Sequence, residues 1–205
     1  MAKLKLKSHG KKGRLIVFCG LEGCGKSSTI QMLYDHYTKQ GKSVFFAKQS
    51  ANKEQTNEEL QNCIEEQNGD SVGSRVQFLH EMSDCIRYSE KIIEPALEAY
   101  DVVISECYVY SCIANLRAWG YEDDKWIYEV AKSIIKPDLS IFLDMPIEFA
   151  INRSSTHLKE NDKGIDPIFQ QILREEYITM AKEYGYLVNS EGTAYDTFEK
   201  MLPII

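Results

Sequence analysis

Apolar residues recur along this chain in distinct rhythms. Short continuous runs occur at Leu15 to Cys19, Val44 to Ala47, Val102 to Ser105, Leu139 to Asp144 and Tyr186 to Asn189. Runs of this length, flanked by polar or turn residues, are the pattern of strands buried in a parallel sheet. Between them the apolar positions return every third or fourth residue, which places each set on one face of a helix. Such sets are Ile30, Leu33, Tyr34 and Tyr37 within Ser28 to Gln40; Val76, Leu79, Met82 and Ile86 from about Ser74; and Trp126, Ile127, Val130 and Ile134. Two more are Phe169, Ile172, Leu173, Tyr177, Met180 and Ala181 from about Pro167 to Glu183, and Tyr195, Phe198, Met201 and Leu202. Gly41 and Gly185 mark helix ends, Pro95 and Lys136-Pro137 interrupt or stop helices, and Pro146 suits a helix start. Thr56-Asn57-Glu58-Glu59 forms a capping box that predicts a short helix carrying Leu60, Cys63 and Ile64. Five buried strands alternating with helices predict an α/β fold in three layers, a parallel sheet flanked by helices.

One connection carries chemistry. Gly20-Leu21-Glu22-Gly23-Cys24-Gly25-Lys26-Ser27 follows the first strand, precedes the first helix and fits the phosphate-binding loop G-x-x-x-x-G-K-[ST] at every specified position. Glycines there let backbone N–H groups turn inward toward phosphate oxygens at the positive end of the helix. Lys26 is placed to reach the β- and γ-phosphates, and the Ser27 hydroxyl to help hold a bridging Mg²⁺. The nucleotide-binding set is therefore Gly20, Glu22, Gly23, Cys24, Gly25, Lys26, Ser27 and Ser28, with ATP and Mg²⁺ as the expected cofactors.

Open α/β sheets bind ligands at the carboxyl edge of the strands. Lys48 ends the second strand at that edge and is a substrate-site candidate. Glu106 ends the third, where a carboxylate would sit near the metal and phosphates, so Ser27 and Glu106 form the expected metal pair and Glu106 joins Lys26 among the catalytic candidates. The segment from Arg153 to Gly164 is polar, contains Lys159 and Lys163, and reads as a lid at about 153–165.

The 205 residues suffice for one core, and 43% hydrophobic with 27% charged residues is ordinary for a soluble globule. A net charge of −7 argues against general affinity for nucleic acid. With no apolar run long enough to span a bilayer and no signal-peptide core, the expected location is the cytoplasm, without membrane contact. Cysteines at 19, 24, 63, 85, 107 and 112 form no C-x-x-C pair and read as free thiols, and histidines at 9, 36, 80 and 157 lack metal-ligand spacing. Residues 1–13, rich in lysine, are expected as a flexible, solvated basic arm ahead of a single domain at 14–205.

Further marks follow in order: Ile93-Glu94-Pro95-Ala96-Leu97, then Glu106-Cys107-Tyr108-Val109-Tyr110-Ser111-Cys112-Ile113-Ala114, then Pro137-Asp138-Leu139-Ser140-Ile141-Phe142-Leu143-Asp144. Together with the G-L-E-G-x-G-K form of the loop, they resemble the I-x-P-A-L, D-R-Y-x-x-S-x-x-A and P-D-L-T-x-x-L-D motifs of thymidylate kinases, within the P-loop nucleoside monophosphate kinases. The resemblance runs over most of residues 14 to 190. It implies a P-loop nucleoside-kinase fold with strand order 2-3-1-4-5, MgATP as donor, a nucleoside monophosphate such as dTMP as acceptor, and a homodimer. By the same resemblance, Arg153 in the lid supplies the transition-state cation, and Lys48, Cys85, Cys107, Tyr108, Ser111 and Arg117 surround the acceptor.

The departures from the motifs lie on the acceptor side. Family arginines are replaced at Lys48, Cys85 and Cys107, and Leu116 stands near the family's base-reading glutamine. A bidentate arginine grips phosphate with two charge-assisted hydrogen bonds, while a thiol is at best a weak donor. Arg117, and less favourably Arg87, are the nearby cations that could compensate. The main reading is thus a thymidylate kinase-like enzyme. An alternative is a divergent ATP-binding paralogue with another acceptor or a regulatory role. A GTPase switch is disfavoured by the lack of an N-K-x-D motif.

Overall fold

The computed structural model describes residues 3–48, 71–121, 125–155 and 166–205, with backbone alone at 48, 71–74 and 155. Its strands are β1 (Arg14–Cys19), β2 (Val44–Lys48), β3 (Val102–Glu106), β4 (Leu139–Asp144) and β5 (Tyr186–Asn189). They pair in parallel in the order β2-β3-β1-β4-β5, as expected from the sequence. The described helices are α1 (Lys26–Lys39), α2 (Ser71–Tyr88), α3 (Glu94–Ala99), α4 (Val109–Ala118), α5 (Trp126–Val130), α6 (Ile147–Ser155), α7 (Pro167–Tyr184) and α8 (Ala194–Met201).

This strand order assigns the helices to layers. Parallel crossovers are right-handed, so a step from β1 toward β2 and steps in the opposite direction put their helices on opposite faces. Accordingly α1 packs with α8, while α4 packs on both α2 and α7 in the other layer. Leu15, Ile16, Val17 and Phe18 of the central strand are fully buried between the layers.

Burial is less uniform than the apolar runs suggest. β5 is an edge strand, with Tyr186 and Leu187 about half exposed, and Phe46 on β2 at the other edge is also exposed. A run of apolar residues records hydrophobicity without recording which strands have two neighbours. On α2, the inward residues are Phe78, Met82 and Cys85, whereas Leu79 faces out at 47% exposure. Met82 belongs to both possible stripes, and the buried one is not the aliphatic stripe that the sequence suggests. Helix α4 has no counterpart among the periodic segments of the sequence. Val109, Tyr110, Cys112, Ile113, Ala114, Leu116 and Arg117 are buried on nearly all its sides, so no one-sided stripe announces it. The Trp126 helix ends at Val130 and passes through a 3₁₀ turn, Ala131–Ser133. The capping box at Thr56 and its helix lie outside the described residues.

The basic segment, expected as a solvated arm, is docked from Leu4 onward. Leu4 is buried and its N–H donates to the Tyr184 hydroxyl at 2.9 Å. Lys7 pairs in parallel with Ile135, through Lys7 N–H to the Ile134 carbonyl and Lys136 N–H to the Lys7 carbonyl, both 2.8 Å. Leu4 and Leu6 alternate with lysines, so one side of the segment meets the core while the charges face outward. Lys11 pairs with Glu94 and Glu98, and Lys12 with Asp101 at 3.2 Å.

Asp101 also accepts from the Ser43 backbone N–H at 3.0 Å and the Ser43 hydroxyl at 2.7 Å, tying the start of β2 to that of β3. The Ser43 bonds, with Lys12, hold its carboxyl far below the usual carboxylate range. A depressed folded-state pKa contributes stability above the unfolded value, near pH 4, and loses it as pH falls further. Denaturant titrations of wild type and Asp101→Asn between pH 6 and pH 2 should therefore converge in acid, the wild type losing more stability over that range.

Candidate active site

The loop at residues 20–25 leaves β1 at the carboxyl edge of the sheet, where the register sets Phe18 beside Glu106 and Cys19 beside Phe142. Gly25, at φ 90°, is the N-cap of α1, with no side-chain cap and no acidic residue in the first turn. The orphan N–H groups of the helix start are thus left for an outside acceptor, the arrangement that binds phosphate. Gly20 and Gly23 seat the loop on its surroundings. A Cβ at Gly20 would stand 2.4 Å from the Leu143 carbonyl oxygen, and one at Gly23 2.2 Å from that of Ala150 on α6.

Lys26 is 9% exposed, and its ammonium donates to the loop carbonyls of Gly20 at 3.1 Å and Leu21 at 2.8 Å. Burial opposes its charge, but the acidic groups around it, Glu106 among them, outweigh that effect and raise its pKa, so it stays protonated. Burial pushes the Cys19 and Cys24 thiols up as well, so both are neutral near pH 7. They line the base of the loop as packing groups. All five described cysteines are free.

Ser27 Oγ lies 3.4 Å from both carboxylate oxygens of Glu106. Adjacent ligands of an octahedral Mg²⁺ at 2.0–2.1 Å stand about 2.9 Å apart, so a small closure would let this pair share the ion. Uncapped helix N–H groups, a loop with no room for a Cβ at Gly20 or Gly23, a buried ammonium and this oxygen pair all suit a magnesium nucleotide. They open on one cleft of about 610 Å³, whose lining runs from Glu22 through Thr29 and includes Glu106 and Arg153.

Arg153 reaches the cleft from the last turn of α6, so the expected lid, 153–165, starts inside a helix. The guanidinium donates to the Gly192 carbonyl at 3.0 Å. Lys159 and Lys163 lie outside the described residues. The opposite wall, Ser190, Gly192, Thr193, Ala194 and Thr197, is absent from the sequence-based site. A signal is present there: Thr193 and Asp196 form a reciprocal capping box at the start of α8, directly after the last strand. Arg174 is a second addition. It grips Asp144 at the end of β4 with bonds of 2.6 and 2.9 Å, while the Asp144 carbonyl accepts from Ser190 N–H and Oγ.

The acceptor-side candidates separate. The backbone of Lys48 pairs beside Glu106 at the sheet edge. Cys107 is half-buried next to Glu106, whereas Cys85 is fully buried. Tyr108 is also fully buried, with its hydroxyl donating to Ser89, so it does not face the cleft. The Ser111 hydroxyl is shielded from solvent without a well-formed hydrogen bond among the described residues. Arg117 is 3% exposed. Its Nε and Nη2 donate to the Tyr128 hydroxyl at 3.1 and 2.8 Å, and Nη1 lies 3.6 Å from Glu176. It is committed between helices and cannot replace a missing arginine without breaking those bonds. Arg87 points to solvent and pairs with Asp84 at 2.9 Å.

A five-stranded parallel sheet with a glycine loop, buried lysine and uncapped helix at its carboxyl edge defines the class of P-loop nucleotide-binding α/β proteins. Within that class the thymidylate kinase family model matches residues 18–201, and the chain belongs to that family. Similar curated proteins include a probable thymidylate kinase of Pyrococcus abyssi, 28% identical over an alignment that covers 95% of this chain and 96% of that protein. Others are a probable thymidylate kinase of Pyrococcus horikoshii, 29% identical over 95% of this chain and 96% of that one, and a thymidylate kinase of Sulfurihydrogenibium sp., 27% identical over 88% and 90%.

The close approach of Gly23 to α6 makes a specific test possible. In Gly23→Ala, the added methyl must displace the Ala150 carbonyl or the loop, and the residue must hold φ +79°. ATP affinity, read by calorimetry, should fall by roughly tenfold or more, the scale of 1.4 kcal/mol or above expected from such overpacking. Circular dichroism should still show a folded protein.

Proposed function

We propose that this protein transfers the γ-phosphoryl group of MgATP to a nucleoside monophosphate, with dTMP as the default acceptor. The observation that carries the reading is the convergence of Lys26, the uncapped start of α1 and the Ser27–Glu106 pair on one cleft. Bound with the nucleotide, Mg²⁺ would neutralise charge on the phosphate oxygens. Loop N–H groups would position those oxygens, and Lys26 would leave the carbonyls of Gly20 and Leu21 to meet them. Ser27 and Glu106 would hold the ion. Charge that spreads onto the transferring group needs a further cation, and Arg153 is the described cleft residue suited to supply it. Catalysis in this scheme is positioning and charge neutralisation, with no covalent intermediate. The reading also takes the chain to act in the cytoplasm as a homodimer; among the described residues no helix is long and apolar enough to cross a membrane.

A second reading, a different acceptor or a regulatory nucleotide-binding role, is favoured by the acceptor side. Thiols stand at 85 and 107, and Arg117 is engaged with Tyr128 and Glu176. Without an arginine to grip the phosphate in bidentate fashion, each of these positions would weaken acceptor binding by about 1.5–3 kcal/mol.

Coupled assays across the common nucleoside and deoxynucleoside monophosphates decide between the two. The first reading expects turnover with dTMP, and Cys107→Arg should lower its KM; no turnover with any monophosphate would sink it. Lys26→Ala should reduce kcat by about 10²–10³-fold or more while the protein stays folded. Arg153→Ala should lower kcat with little change in the Kd for ATP, and an unchanged maximal rate would remove Arg153 from the catalytic set.

A further inference from the structure

Glu106 and Cys107 sit at a corner whose backbone needs support. Cys107 adopts φ 57°, the left-handed region that residues with a Cβ rarely hold unless their surroundings fix it. Its N–H donates to the Phe18 carbonyl at 2.8 Å, and its own carbonyl accepts from Ser105 Oγ at 3.1 Å. The following residue, Tyr108, turns sharply from extended backbone into α4 and buries its whole ring. The tyrosine hydroxyl ends on Ser89 Oγ at 2.9 Å, in the interior.

Ser89 is fully buried and serves two donors. Besides Tyr108, its Oγ accepts the backbone N–H of Ile135 at 3.0 Å. Both lone pairs of the hydroxyl are thereby filled. The serine reaches this junction because it opens a π-helical turn, Ser89–Ile93, in which the N–H of Glu94 donates back to the Ser89 carbonyl. The wide turn falls just before Pro95, which has no N–H and whose ring crowds the carbonyl of the preceding turn. Ile135 is held in turn by the docked N-terminal segment, through the pairing of Lys7 with residues 134 and 136. A buried chain of hydrogen bonds thus runs from the N-terminal segment to the residue that follows Cys107.

We infer that Ser89 is a positioning residue for the Glu106–Cys107 corner, holding Tyr108 so that the Glu106 carboxylate stays over Ser27. The inference rests on the reading of Ser27 and Glu106 as the metal pair. Removing the Ser89 hydroxyl orphans two buried donors, and they recover partners only if the corner or the Ile135 segment shifts. The effect on Glu106 is transmitted through Tyr108.

Two variants and a control test this. Ser89→Ala deletes the acceptor; Tyr108→Phe deletes only the donor and is the milder change. Tyr110→Phe is the control, because this equally buried tyrosine on α4 bonds elsewhere, within 3.1 Å of Ser140 Oγ. The first readout is alkylation of Cys107 in the nucleotide-free protein, located by peptide mass spectrometry. Removing a buried bond should raise the rate by roughly 5- to 30-fold in Ser89→Ala and Tyr108→Phe. Tyr110→Phe should match wild type even if its Tm falls as far. The second readout is Mn²⁺ binding with a non-hydrolysable ATP analogue, followed by electron paramagnetic resonance. Affinity should weaken roughly 10- to 100-fold in the two variants, as for other groups that orient a metal ligand. Wild-type alkylation rates in both variants, or rates no higher than in Tyr110→Phe, would overturn the assignment. If the wild-type protein binds no Mn²⁺ with the analogue, the phosphotransfer reading fails instead, and the alkylation rates alone judge Ser89.

Discussion

The closeness with which backbone meets backbone at residues 20–25 constrains everything else at the active edge. At Gly20 the loop leaves no room for a side chain against the end of β4, and at Gly23 none against α6. Interiors are packed at crystal-like density and do not absorb even a methyl group without displacement. The loop therefore takes its shape from β4 and α6 as much as from its own sequence. Arg153, on the last turn of α6, is placed by the same close approach.

The end of β4 extends that constraint to the far wall. Asp144 uses its carboxylate to hold Arg174 of α7 and its carbonyl to hold Ser190, which begins the turn into α8. Helix α8 packs on α1, the helix that the loop starts. Phosphate loop, far wall and α7 thus share one short stretch of strand as their footing. A displacement at Asp144 would reach α7 and Ser190 through direct hydrogen bonds and the loop through the neighbouring Leu143 carbonyl.

The fold is largely legible in the sequence because each central strand is a compact apolar run and each crossover carries helical spacing. Legibility fails where burial and pattern part company. Helix α4 is enclosed on nearly all sides, so its composition resembles a strand or a loop, and only its packing on α2 and α7 explains it. On α2 two stripes share Met82, and side-chain size alone does not choose between them. The lysines at the N-terminus suggest solvent, while the alternating leucines that dock the segment carry the weaker signal. For the site, the loop motif locates Lys26, Ser27 and, through the strand ends, Glu106. The motif does not report that Tyr108 turns inward or that Arg117 is engaged by Tyr128 and Glu176. Those facts depend on residues distant in sequence, at 89, 128 and 176.

The resting place of Lys26 has its own consequence. Its ammonium is not a bare buried charge, for two loop carbonyls solvate it as water would. Ligand capture is then an exchange of partners. On the proposed function, an incoming anion would have to displace a pair of neutral dipoles that are already in place, which favours adjacent phosphates over a weakly charged anion. The loop becomes a filter on charge density.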